Sequence, residues 1–390
     1  MTFKLKVNPE DFIVSEVIKP FTPGEGSFSL YLLKKINLST WDALGRLSKT
    51  LHIPLKHFGY GGLKDKKAIT YQYITIKNGP KRDVHDKNIE LTYLGNLPKS
   101  LDKSDLLGNN FEITLRQVTL DDEIIAKNIE EVRLYGIPNY FDEQRFGSVS
   151  ETREFAVKEI IRGNYERALF LIMAIGSPDD IAQSRALRDC LKRNWRNWDL
   201  CVRYAHLKWE RELLHFLSEK TPSQRTFKRA LNLVDQEYLF FLGNVYQSYL
   251  WNEVLREILT HLGLNHFNIP YQVGEFSFYR EIPNETLKLL QGLKIPYPSP
   301  KIHVEDRPEL PLKALYLKVF SREGFIDFKD LRTFIRGLVL KTYPRPAIVF
   351  PRNLVWERLE KRIVRLKFFL EKGSFATMVI KRVFYGNKNS

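Results

Sequence analysis

Hydrophobic and polar residues alternate with a period of two over much of the first third of the chain. Phe28, Leu30 and Leu32 share one face of residues 27–33 beside Tyr31 and Leu33, which predicts a well-buried strand, and residues 12–17 repeat the pattern. The period then changes: Trp41, Leu44, Leu47 and Leu51 recur at helical spacing behind Ser39 or Thr40 as a cap, and Pro54 ends the run. Residues 69–77 are rich in β-branched and aromatic side chains, and residues 89–94 and 111–115 add further strand candidates. Asp121 and Asp122 open a helix through Ile124, Ile125, Ile129 and Val132 that Gly136 and Pro138 terminate. This order predicts an α+β domain around a mixed sheet.

From about residue 151 the pattern is mainly helical, over 155–161, 165–175 and 181–191 and then through a long stretch from 227 to 259. A proline-rich loop at 295–300, with Pro308 and Pro311, punctuates its later part. Strand patterns return near 347–350 and 362–370, and the apolar run 376–384 closes the chain as a core strand. Neither an internal repeat nor a low-complexity tract is evident. The apolar run 168–175 is far short of the ~20 residues needed to span a bilayer, and the N-terminus lacks the apolar stretch of a signal peptide. A soluble, cytoplasmic protein is expected.

Composition sharpens this picture. At 390 residues, with 43% hydrophobic and 27% charged positions, the chain can bury the cores of more than one domain and lies away from the signature of disorder. Lys plus Arg number 61 against 46 Asp plus Glu, a net charge of +15 and a pI near 9.5, so polyanions are natural partners. Aromatic residues make up 13% of the chain, and rings among basic residues favour stacking on unpaired bases, although most rings must serve the core. Cys190 and Cys201 are the only cysteines and have no zinc-like spacing, which predicts a reducing compartment and no structural metal.

The chemical lead is Asp65, one acid among Lys64, Lys66 and Lys67 just after the glycine-rich turn Gly59-Tyr60-Gly61-Gly62. The lysines would attract an anionic polymer and favour an ionised carboxylate, although a solvated basic turn has the same composition. Four other groups stand out. Lys6 precedes Asn8-Pro9-Glu10-Asp11-Phe12, which also reads as a capped turn entering a strand. In Asn139-Tyr140-Phe141-Asp142-Glu143-Gln144-Arg145, Asn139 and Gln144 can read base edges, Phe141 can stack and Arg145 can hold phosphate, or the rings can pack a structural corner. Residues 246–252 read most simply as an amphipathic helix that turns Tyr246, Leu250 and Trp251 to a core, and Gly373-Ser374-Phe375 could bring a ring to a site. A Walker-type nucleotide loop and a helical zinc-protease motif are both missing.

Taken in order, Lys6 with residues 8–12, residues 62–70, residues 138–141 with 144–147, residues 247–252 and residues 373–377 resemble the motifs of the TruD family of tRNA pseudouridine synthases. The resemblance implies a catalytic domain with a mixed, largely antiparallel sheet, made from residues 1–160 and 346–390. An inserted α+β TRUD domain would occupy residues 161–345. It implies that a uridine in tRNA, at position 13, is isomerised by cutting the N1 glycosidic bond, turning the uracil and rejoining the sugar through C5. Asp65 would be the catalytic carboxylate, Lys6 its basic partner, and Asn139 would orient Asp65 or bind the substrate. Phe12, Phe141 and Phe375 would line the uridine pocket, with Lys66, Lys67, Gln144 and Arg145 on the RNA. A monomer with no cofactor, no metal and no obligate protein partner is expected. Asp142 departs from the glycine that many relatives carry after the phenylalanine. A noncatalytic RNA-binding or RNA-folding protein on the same scaffold is the alternative reading, whereas a methyltransferase would need a cofactor loop that is not found.

Overall fold

The computed structural model describes residues 3–149, 151–176 and 180–385. Contacts divide the chain into two compact units, residues 1–137 with 349–390, and residues 138–348.

The first unit is built on a nine-stranded sheet. In chain order its first elements are β1 (Phe12–Ile18), β2 (Phe28–Ile36), α1 (Thr40–Leu51), β3 (Phe58–Tyr60), β4 (Ile69–Lys77), β5 (Val84–Asp86), β6 (Ile89–Leu97), β7 (Leu106–Arg116) and α2 (Asp122–Tyr135). The strands Arg352–Glu360 and Ile363–Glu371 come from the other end of the chain. They lie outermost beside β7, and the order then runs β7, β1, β4, β2, β6, β5, with β3 also on β4. Every pairing is antiparallel except that of β1 with β4, where Ile13 faces Ile69 and Val14 faces Thr70. The expected mixed, largely antiparallel α+β sheet is therefore present.

Helix α1 starts where Ser39 Oγ accepts the Asp42 N–H at 3.0 Å and stops at His52 in the left-handed region (φ 54°). Its Ala43, Leu44 and Leu47 pack into one cluster with Tyr31, Leu33, Ile74 and Ile76 of the sheet. Trp41 shares the helical spacing but is 56% exposed, and meets Tyr60 edge to face at 5.9 Å between centroids. Helix α2 is tied to the chain's end, where Asn128 Nδ2 donates to the Val383 carbonyl at 2.6 Å and Arg382 pairs with Glu131 at 2.6 Å.

The structure corrects or refines the sequence reading at four places. Residues 376–384 form a helix, Ala376–Phe384, rather than a core strand. Met378, Val379, Ile380, Lys381, Arg382 and Val383 are all buried, so no polar face remains in the sequence to reveal a helical period. The stretch 227–259 is two helices, Gln224–Leu231 and Gln236–His261, divided where Asp235 Oδ1 accepts the Tyr238 N–H at 2.8 Å. Strand Arg352–Glu360 escapes the hydrophobic pattern because only Leu354 is buried in it, as suits a charged outer strand. The cysteines, expected as reduced thiols, are joined as Cys190–Cys201. The chain turns back between helices Ala182–Arg193 and Asp199–Val202, where Trp195 and Trp198 pack edge to face, and this brings the two Cα atoms to 5.7 Å.

The second unit is mainly helical around the long helix Gln236–His261, whose buried residues lie on every side. It adds the hairpin of His266–Tyr271 with Gly274–Tyr279, and the short pairing of Lys294–Pro296 with Pro344–Pro346. Residues 138–160, placed before the insertion in the sequence-based division, pack with this unit: Phe155 stacks on Tyr249 at 4.7 Å, and Phe146 packs at a tilt against Tyr271 at 5.4 Å. Among the described residues no helix is long and apolar enough to cross a membrane.

Leu47→Ala should lower the unfolding free energy by about 2–5 kcal/mol, because it opens a cavity in the α1 cluster. Trp41→Ala should cost less than about 1 kcal/mol. Urea unfolding of the two variants checks the contrast, and equal losses would mean that Trp41 is as much a part of the core as Leu47.

Candidate active site

The N-terminal segment is locked before it reaches β1. Asp11 accepts the Asn8 N–H at 2.9 Å and is gripped by Arg116 through Nη2 at 2.8 Å and Nε at 3.0 Å, so the turn Pro9–Asp11 enters the sheet in one conformation. Lys6, just ahead of it, sits in the left-handed region at φ 54°. Its Nζ lies 3.3 Å from Asp65 Oδ2 and 4.0 Å from the centre of the Phe12 ring. The structure therefore brings together three of the residues singled out in the sequence. Lys6 is mostly enclosed, with its side chain 13% exposed, whereas the Asp65 side chain is 37% exposed and reachable from solvent.

The loop that carries Asp65 is fixed from beneath. Gln72 Nε2 donates to the Gly62 carbonyl at 2.6 Å, and Thr40 Oγ1 accepts the Lys64 N–H at 3.0 Å. Lys64 turns inward to the buried Glu16, whose other oxygen accepts the Tyr73 N–H at 2.9 Å. Lys35, fully buried on β2, donates from Nζ to the Leu38 carbonyl at 2.6 Å and to the backbone carbonyl of Asp65 itself at 2.9 Å. Burial brings the Lys35 ammonium down from 10.5 to about 8, against the opposing pull of the Asp65 carboxylate. Of the loop lysines, only Lys66 and Lys67 are exposed and can meet an anionic polymer. Among the glycines ahead of the loop, Gly59 is the one that a side chain cannot replace: a Cβ there would fall 1.9 Å from Ser100 Oγ and 2.8 Å from the Leu101 carbonyl oxygen. Gly62 has no such constraint, its nearest neighbour being 3.8 Å away. Phe375 lies in the same unit, half-buried at the N-terminal cap of helix Ala376–Phe384.

The remaining candidates belong to the second unit. Asn139 is buried, its Oδ1 accepting from Arg345 Nη2 at 2.7 Å and its Nδ2 donating to the Pro346 carbonyl at 3.1 Å. Arg345 covers the Phe141 ring at 4.1 Å, and burial brings its guanidinium down from 12.5 to about 10. Trp251 meets Phe141 edge-on at 5.7 Å. Asn252 clamps the Phe141 backbone from both sides, accepting its N–H at 2.8 Å and donating to its carbonyl at 2.9 Å. The segment 246–252 is thus the core-facing helix read from the sequence, and Gln247 adds donors to the Pro298 and Lys341 carbonyls at 2.7 and 2.9 Å. Asp142 is buried and does not stand among the residues of positive φ, so glycine is not required there. Gln144 is exposed, and Arg145 is half-buried, 5.8 Å from the Phe241 ring.

Sequence reasoning gave no site role to Lys35, Glu16, Thr40, Gln72, Arg116, Asn252 and Arg345, although Thr40 stood as a candidate helix cap and Asn252 closed the motif segment 247–252. Lys35 left a signal: it shares the inward face of β2 with Tyr31 and Leu33, where a charge needs a reason. The others are ordinary polar residues whose partners are remote in the chain. Among the described residues no cluster of three or more histidine, cysteine, aspartate or glutamate side chains could hold a metal ion.

A lysine-paired aspartate with a ring beneath it and exposed lysines beside it can present a charged carboxylate to a polyanion. Comparison with known proteins gives this chemistry its class. Residues 1–269 match the family described as tRNA pseudouridine synthase D (TruD). A protein of Methanococcus maripaludis named "Probable tRNA pseudouridine synthase D 1" is 34% identical over 98% of this chain and 99% of its own length. The tRNA pseudouridine synthase D of Aquifex aeolicus is 31% identical over 100% of both chains. A solved structure from Methanosarcina mazei, assigned to tRNA pseudouridine synthase D, superposes with a TM-score of 0.71 at 25% identity, covering 99% of this chain and 94% of that one. The fold and these likenesses define an isomerase of the pseudouridine synthase class. Within that class, the chain belongs to the TruD family.

Lys35 gives the site a pH dependence. Its depressed pKa means that the folded chain binds fewer protons than the unfolded chain between about pH 8 and 10.5, so the cost of burying it falls as pH rises through that window. Over the same range its bonds to Leu38 and Asp65 lose their charge assistance. The isomerisation rate should fall as pH rises through about 8. Lys35→Met should lower the rate roughly tenfold and abolish that inflection, since it removes a contact that positions the carboxylate. Rate profiles of the two proteins from pH 6 to about 10 check this, and an unchanged inflection in Lys35→Met would assign it to another group.

Proposed function

We propose that Asp65 is the carboxylate on which the isomerisation of uridine turns. The observation that carries this reading is the 3.3 Å pairing of Lys6 Nζ with Asp65 Oδ2, made on the Phe12 ring in a loop that remains open to solvent. The reaction breaks the bond between C1′ and N1, turns the uracil, forms the bond between C1′ and C5, and loses the C5 hydrogen as a proton while N1 gains one. An ionised carboxylate can serve at the sugar, by attack on C1′ or by removal of a neighbouring proton, and a protonated one can do neither. Lys6 keeps the charge in place when the base covers the site, because an isolated carboxylate would resist desolvation.

Substrate recognition follows the same reading. Phe375, half-buried, supplies apolar surface for the extruded base while the buried Phe12 backs the Lys6 ammonium, and the few kcal/mol needed to unstack the base, in order of magnitude, are offset by ring and phosphate contacts. Lys66 and Lys67 hold phosphate, supported by their exposure and by the net charge of +15. Asn139, Phe141, Gln144 and Arg145 of the second unit bind the substrate. The discontinuous unit is the catalytic domain and the internal one the TRUD insertion. The target is uridine 13 of tRNA, and the enzyme works as a cytoplasmic monomer without cofactor.

Tritium release from C5-labelled uridine in a tRNA transcript tests the chemistry. Asp65→Asn should reduce release by roughly a hundredfold to ten-thousandfold while tRNA binding is retained. Release at the wild-type rate would remove Asp65 from the reaction. Lys67→Glu should instead weaken tRNA binding first and reduce the salt dependence of binding by about one unit of slope. Unchanged binding with a lower rate would contradict the phosphate role.

A further inference from the structure

Within the second unit, Arg145 opens onto a cavity of about 570 Å³ that the residues discussed so far do not explain. That size is in the range of small-molecule sites, about 300–1,000 Å³. One wall is aromatic: Tyr238 and Phe241 lie nearly parallel, at 14° and 6.4 Å between centroids, and Trp209 continues the row at 6.4 Å from Tyr238. The carboxylates in the lining already have donors. Asp235 accepts the Tyr238 N–H at 2.8 Å, Glu210 accepts the N–H groups of His206 and Leu207 at 3.1 and 3.0 Å, and Asp180 pairs with Arg188 at 2.6 Å. Arg188 is also engaged, donating to the Ile172 and Ile175 carbonyls at 2.9 and 2.7 Å.

Two buried polar atoms of the lining have no hydrogen-bond partner, Arg145 Nε and Ser148 Oγ. Buried polar atoms without partners are rare, because each forfeits its hydration. Burial lowers the Arg145 pKa from 12.5, and no carboxylate among the described residues acts on the guanidinium to offset this. An acceptor with negative charge would meet the Arg145 guanidinium, next to a wall suited to a planar ring. A phosphate satisfies the guanidinium and the hydroxyl together, and a base satisfies the rings.

We propose that this cavity is a nucleotide-binding site, in which Arg145 and Ser148 hold a phosphate and Trp209, Tyr238 and Phe241 take the base. The proposal rests on the reading of the chain as an RNA-modifying enzyme and deepens it: the nucleotide that Arg145 holds is not the uridine being isomerised but another one. Arg145 stands four residues after Phe141 in the same unit and feels the charge of Arg345, which covers the Phe141 ring. A nucleotide of the substrate tRNA and a free mononucleotide carry the same chemistry, and the two sources separate experimentally.

The full chain is titrated calorimetrically with uridine and adenosine 5′-monophosphates, and with the unphosphorylated nucleosides. Saturable binding of the monophosphates is expected, with the nucleosides, Arg145→Gln and Phe241→Ala each weakening it by about tenfold or more. Thermal melts establish that the variants fold, and Phe241, 42% exposed, keeps the test open if Arg145→Gln does not. In parallel, a tRNA transcript carrying 5-iodouridine is irradiated with the protein, and crosslinked peptides are identified by mass spectrometry. Crosslinks to Trp209 or Tyr238 assign the site to the tRNA, with or without mononucleotide binding, and saturable binding without such crosslinks assigns it to a free nucleotide. Neither binding nor crosslinks, or binding that both variants leave unchanged, overturns the proposal. Tritium release by the wild type is read separately, so release without occupancy of the cavity removes the nucleotide site and leaves the isomerase reading intact.

Discussion

The parallel pairing of β1 with β4 is the constraint on which the site depends. Because these two strands run in the same direction, the segments that precede them emerge at the same end of the sheet. One of those segments carries Lys6 and the other Asp65, and the ion pair between them closes where the strands begin. An antiparallel neighbour would have sent the two segments to opposite ends. The long route from β1 to β4 is taken up by β2, α1 and β3, which places Thr40, the first residue of α1, and Lys35 of β2 directly under the Asp65 loop.

Support for the loop is divided by charge. Lys64 is neutralised by Glu16 inside the protein, Lys35 spends its hydrogen bonds on two backbone carbonyls, and Lys6 faces the carboxylate. Only Lys66 and Lys67 are left for solvent and for phosphate. Five lysines of similar appearance in the sequence thus have different work, because burial makes an unpaired ammonium costly and each inward one must find an acceptor. The second unit shows the same economy around Phe141, whose ring is covered by Arg345 and whose backbone is held by Asn252.

Much of the fold was legible where one face of an element meets water. The alternation in β1, β2 and β4 and the capped spacing of α1 and α2 survive almost unchanged in the structure. Legibility failed where that contrast vanished: residues 376–384 are buried all round, and strand Arg352–Glu360 is exposed nearly throughout. The same limit applies to the site. Asp65, Lys6 and Phe12 stood out as motif residues, whereas Arg116, Gln72 and Arg345 act through partners far away in the chain and carry no local mark.

Taken alone, the sequence determined the α+β class, the motif segments, the basic character and the acid most suited to chemistry. These follow from local period, composition and the order of motifs, which need no knowledge of what lies across the sheet. Tertiary structure alone decided that Lys35 and Glu16 brace the Asp65 loop, that the two cysteines join, and that Arg145 opens onto a ring-lined cavity. The physical reason is distance along the chain: a hydrogen bond or an ion pair needs a few ångströms in space, and strand direction, not sequence spacing, sets which groups come that close.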